Sequence, residues 1–228
     1  MTGRPQFRSV LVLSAVFVYL SVAECQATLV TLPTSLNPGD SYRLAFITST
    51  TRDAASTQIA DYNTFVQAAA NNVPALVALG TSWTAIASTS TVDARDNTST
   101  NPNFATGERI FLLNDTLVAN DYSDLWDNSI LAPLNFTEIE TTRTDTAWTG
   151  TNGLGQKDPF SLYLGSAIGV EVGSAAATDG YWIGAGYTID NSEVRPLYAI
   201  SGILAAVPEP CSVVLAAMAI GSLLFVRL

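Results

Sequence analysis

Both cysteines of this chain, Cys25 and Cys211, fall in its end segments, so the long stretch between them has neither a disulfide nor a thiol. Whatever that stretch folds into must be held by packing alone. It runs from Thr28 to about Val207, roughly 180 residues, which is enough for one domain with a sizeable core.

The two ends read differently from the middle. Arg4 and Arg8 precede the apolar run Ser9 to Val22, and Cys25-Gln26-Ala27 supplies small residues where a processing enzyme needs them. This is the order of a secretory signal peptide over residues 1–27, cleaved after Ala27. A lipoprotein reading would acylate Cys25, but Glu24 stands where a small residue is wanted. At the other end, Ser212 to Val226 carries no charge and no polar stripe. A helix of that length rises only ~22 Å, short of the ~30 Å hydrocarbon core, so it is either a minimal span extended by Cys211 or a buried core helix. Its position after Pro208-Glu209-Pro210 and before Arg227 fits a transmembrane segment at about 211–226 with Arg227 on the cytoplasmic side. The two prolines hold Glu209 in an extended segment that the following helix cannot absorb.

Residues 207–228, with Pro208, Glu209 and Pro210, an apolar helix and a terminal basic residue, resemble the bacterial PEP-CTERM sorting signal. The resemblance implies export, attachment to the membrane through the C-terminal tail, and recognition by an exosortase-type processing enzyme. The tail offers the single Arg227 where such signals usually end in several arginines. The alternative is an ordinary C-terminal anchor that is never cut.

Between the ends, seven basic residues face eighteen acidic ones, a balance near −11. That excludes nucleic-acid binding by phosphate neutralisation, which needs clustered Lys and Arg. The chain has no histidine, so Ser-His-Asp catalysis and histidine metal sites are excluded, and no glycine-rich phosphate loop is present.

Asn37-Pro38-Gly39-Asp40 predicts a turn and Ser41 to Thr48 a first strand. Ser56 is placed to cap a helix through about Asn71, with Ile59, Tyr62, Phe65, Val66 and Ala69 on one face and Pro74 ending it. Trp83 to Ser88 predicts a strand. Arg109 to Leu113 and Leu117-Val118 form a hairpin about Asn114-Asp115. Asp121 to Ile130 predicts one short helix; short strands follow around Trp148, Phe160 to Leu164, Tyr181 to Tyr187 and Tyr198 to Leu204. One main N-terminal helix and a loop-rich antiparallel sheet define an α+β class for residues 28–206, flanked by the signal helix and the C-terminal transmembrane helix. Trp83-Thr84-Ala85-Ile86-Ala87-Ser88, Val92-Asp93-Ala94-Arg95, Leu125-Trp126-Asp127, Trp148-Thr149-Gly150-Thr151 and the Tyr198 strand resemble the C-type-lectin-like class, near the endostatin-type domains and a family of secreted bacterial proteins. That implies a lectin-like fold; sugar binding does not follow, because the Glu-Pro-Asn, Gln-Pro-Asp and Trp-Asn-Asp motifs of that class are missing.

Three chemistries remain open. Asp121, Asp124 and Asp127, three apart on one helical turn, would gather oxygen ligands for calcium or else form a wet helix face. Glu138, Glu140, Asp145 and Glu171 are the carboxylates from which a glycosidase-like pair would be drawn. Trp83 and Trp148, within strand-like text, are expected in the core, whereas Trp182, between Tyr181 and Ile183 after a loop, is the candidate to stack on a sugar. Asp93, Arg95 and Asp96 read as an ion-paired turn. The expectation is an exported, non-enzymatic protein of the cell envelope or extracellular matrix, adhesive or structural, associated with extracellular polysaccharide; the alternative is a carbohydrate-active enzyme working with two carboxylates.

Overall fold

The computed structural model describes residues 29–207. The signal segment with Ala27, the motif Pro208, Glu209 and Pro210, and the apolar tail at 211–226 lie outside the described residues. Among those described, no helix is long and apolar enough to cross a membrane.

The α+β class holds, with sheet dominating. In chain order come β1 (Ser41–Ile47), α1 (Ile59–Asn71), α2 (Pro74–Val77), β2 (Trp83–Ala85), α3 (Ala94–Asn97), β3 (Arg109–Leu112), β4 (Leu117–Ala119) and α4 (Tyr122–Leu125). Then follow β5 (Thr146–Trp148), β6 (Val170–Ser174), β7 (Gly186–Thr188), β8 (Tyr198–Ser201) and β9 (Leu204–Ala205). The main sheet has the order β2-β8-β1-β3-β4, with β9 added to β1. A second sheet is β5-β6-β7.

Strand β1 is the axis of the main sheet, and six of its seven residues are buried. The sheet is mixed rather than antiparallel throughout, because β1 and β3 run parallel. A parallel partner needs a long crossover, and the segment between them, with α1 and α2 in it, supplies one. The buried Arg43 on β1 is tolerated because its Nη1 donates to Thr98 O and Ser201 O at 2.8 and 3.0 Å.

Helix α1 begins two residues later than its cap signal at Ser56 suggests: Gln58 is the N-cap, and no side chain caps it. Ser56 Oγ instead accepts from Gln58 N and donates to Asp61 Oδ2. Tyr62, Val66, Ala69 and Ala70 form the buried face, with the Arg52 guanidinium 4.2 Å over the Tyr62 ring. Pro74 opens α2, where a missing N–H costs nothing. The β3–β4 hairpin forms as expected, with Asp115 in the left-handed region at φ 70°. The helix expected over 121–130 is one turn, since Trp126 has left helical geometry (φ −116°, ψ 28°).

The second sheet joins at the far end of β1. Thr48 N donates to Leu197 O and Trp148 N to Pro196 O, while Trp148 itself is fully buried. The joint is filled by rings: Trp182 lies 5.8 Å from Trp126 and 6.0 Å from Tyr198, centroid to centroid. Both ends of the described chain meet at the opposite end of β1. There Ser41 pairs with Ala205, and Gly39 N donates to Ala206 O.

Trp182 is 0% exposed and Tyr181 61% exposed. Trp182→Ala is therefore expected to cost about 3–5 kcal/mol in urea unfolding, and Tyr181→Ala less than about 0.5 kcal/mol. Equal losses for the two variants would mean that the burial of this pair is misassigned.

Candidate functional site

The second sheet and its loops enclose a polar cavity of about 470 Å³. Its floor is Glu171 on β6, the central strand of that sheet, where the residue is 9% exposed. Burial there is forced by the backbone, because the Glu171 carbonyl accepts from Gly150 N at 3.0 Å and its amide donates to Leu162 O at 2.7 Å. The side chain receives one protein hydrogen bond, from Gly186 N to Oε1 at 2.9 Å. Desolvation pushes the carboxyl up to about 7; the Gly186 amide opposes the rise and the nearby Asp158 charge adds to it. Near neutrality this group is therefore both donor and acceptor.

One wall is a single 3₁₀ turn, Gly180–Trp182, capped by Asp179, whose carboxylate accepts from Tyr181 N. That turn sends Trp182 into the core and leaves Tyr181 on the cavity rim. The opposite wall is the loop from Thr151 to Asp158, folded on itself by Asn152 Oδ1, which accepts from Leu154 N and Gln156 N. Asp158 closes it, accepting from Phe160 N at 2.8 Å and Leu162 N at 3.2 Å. Asn128 reaches between the walls. A Cβ on Gly153 would sit 2.0 Å from Asn128 Oδ1, and one on Gly180 would sit 2.6 Å from it, so the amide reaches this place only because both residues are glycines.

The arrangement presents three carboxylates, two amides and a phenol rim around this cavity, a set suited to hydroxyl groups in several directions. No protein-family model matches this chain, and no curated protein matches it in sequence. The fold and cavity thus define an α+β domain with a polar, aromatic-edged cavity on its second sheet.

Of the carboxylates singled out in the sequence, only Glu171 lines this cavity. Glu138 is buried and held by Ser49 N and Ser49 Oγ. Asp145 pairs with Arg143, whose guanidinium holds its carboxyl below the usual range, and Glu140 is exposed in the left-handed region at φ 64°. Trp182 is no stacking platform: the 3₁₀ turn reverses the exposure that a strand would give it.

The aspartate triplet is not on one helical face either. Asp121 lies before α4 and caps Asp124 N, Asp124 accepts from Asn120, and Asp127 lies beyond the helix and accepts from Ser129. Among the described residues no group of three His, Cys, Asp or Glu is placed to hold a metal ion, calcium included. Asp158, Asp179, Asn128 and Asn152 have no sequence signal beyond turn propensity, apart from Asp179-Gly180 as a cap before an aromatic pair.

The raised carboxyl fixes a sign. A folded acid with its pKa at about 7 against an ordinary 4.5 holds a proton that the unfolded chain has lost. Its effect on stability is therefore favourable at low pH and fades as pH rises from 4.5 through 7. Glu171→Gln should remove that slope, matching the parent near pH 4 and exceeding it at pH 8 by about 2 kcal/mol, allowing for water in the cavity. Urea unfolding across that range measures it; a Gln variant that loses stability at pH 8 contradicts the assignment.

Proposed function

We propose that this is an exported protein of the cell envelope or extracellular matrix, sorted by its Pro208-Glu209-Pro210 signal and processed by an exosortase-type enzyme. Its C-type-lectin-like domain holds extracellular polysaccharide in the cavity under Tyr181. The observation that carries the binding role is the meeting of the buried Glu171, whose carboxyl desolvation pushes up to about 7, and the exposed Tyr181 at one polar cavity. A carboxyl that both donates and accepts suits neutral hydroxyls, and a phenol at the rim offers its face to the apolar side of a sugar ring.

The place of the cavity supports display from an anchor. The chain enters and leaves at one end of β1, and the sheet bearing Glu171 joins at the other, about 20 Å away for a seven-residue strand. A domain tethered by its C-terminal tail would hold its site away from the membrane. The lectin-like reading is further supported by the element order, in which the closing strand β8 lies antiparallel beside the first.

A second reading rests on the same carboxyl. Glu171 raised to about 7 beside Asp158 is what a general acid with a charged partner requires, so the cavity also suits a carbohydrate-active enzyme. Asp158 argues for binding, because its Oδ1 is taken up by two backbone amides of its own loop.

Retention of the protein on the extracellular polysaccharide of its own organism tests the proposal. We expect saturable retention that Tyr181→Ala weakens roughly fivefold, the worth of about 1 kcal/mol of aromatic contact, with folding unchanged. No retention overturns the saccharide reading. Release of reducing ends that Glu171→Gln abolishes would replace binding by catalysis.

A further inference from the structure

Of the seven basic side chains among the described residues, six are engaged. Arg43, Arg52, Arg109, Arg143 and Arg195 make ion pairs, and Lys157 Nζ donates to Ser90 O. Arg95 is the exception, with no side-chain hydrogen bond, ion pair or ring contact, and its Nε is buried without an acceptor. Asp96 does not neutralise it, since adjacent residues on a helical turn point apart and Asp96 Oδ1 is held by Asn101 Nδ2 at 2.6 Å. The ion-paired turn expected here from the sequence does not form.

Arg95 is only half-buried, and of its guanidinium nitrogens Nε alone is buried without a partner. It lines a separate cavity of about 320 Å³ with Asp96, Ser99, Asn101, Phe104 and Ala105. Phe104 is 85% exposed, an apolar ring with no structural duty in the core. The Arg95 amide donates to Gly155 O, so this cavity abuts the loop that walls the first one.

We propose that the Arg95 cavity is a second subsite, taking a sugar residue that bears a carboxylate. The guanidinium fork receives the carboxylate through paired N–H donors, and Phe104 packs on the apolar face of the ring. The subsite stands on Arg95 and Phe104, not on Glu171, so it survives or fails apart from the first cavity.

The test titrates the full chain, purified in detergent, with glucuronate, glucose and acetate, read by amide chemical shifts. Glucuronate should shift Arg95 and Ser99 and bind at least tenfold more tightly than glucose or acetate. Arg95→Gln should lose tenfold or more of that affinity, and Arg95→Lys should recover part of it. Phe104→Ala should weaken glucuronate but leave acetate unchanged, which separates a ring from a bare carboxylate. Glu171→Gln should leave the glucuronate-induced shifts of the Arg95 and Ser99 amides unchanged, because Glu171 does not line this cavity. Glucose shifting the Arg95 and Ser99 amides with the same affinity as glucuronate, or an Arg95→Gln variant in which glucuronate still shifts Ser99 normally, overturns the subsite.

Discussion

The burial of Trp182 is what the rest of this structure depends on. With no disulfide between Cys25 and Cys211, the two sheets must be joined by side-chain packing, and the Trp126, Trp182 and Tyr198 rings fill that joint. Trp182 comes from the turn before β7, Trp126 from the end of α4 and Tyr198 from β8, so one contact ties loop, helix end and main sheet together. The Trp126 indole is itself anchored, donating to Thr100 O and Oγ1. Because the 3₁₀ turn drives Trp182 inward, Tyr181 must face out, and the cavity rim follows from the core.

Two buried glutamates show how the same residue type is assigned different work. Glu138 is 3% exposed but accepts two hydrogen bonds from Ser49, which fasten the end of β1 to the loop at 136–141. Glu171 is little more exposed, yet it has a single amide donor and an acidic neighbour. The first is satisfied and structural; the second keeps unspent hydrogen-bonding capacity facing a cavity. Arg43 and Arg95 differ in a similar way among the cations: Arg43 Nη1 donates to two carbonyls, whereas the Arg95 guanidinium has no side-chain partner.

What could be read from the sequence is what local periodicity encodes. Strand β1, the buried face of α1 and the β3–β4 hairpin all appear near their expected places, because apolar spacing and turn residues determine them within a few positions. The parallel pairing of β1 with β3 depends on a partner some sixty residues away, and no local pattern carries its direction. Tyr181-Trp182-Ile183 misleads because strand-like text gives alternation, whereas the turn buries Trp182 and Ile183 together. Glu171 was visible among the candidate carboxylates, but the residues that make it a site, Asp158, Asp179 and Asn128, come from three separate loops. Their meeting is a property of the tertiary fold alone.

A crystal structure of the protein soaked with an oligosaccharide prepared from its own extracellular matrix tests the central claim most directly. The account requires a sugar ring lying against Tyr181 with a hydroxyl within hydrogen-bonding distance of Glu171. A sugar bound elsewhere while that cavity holds only water would contradict it.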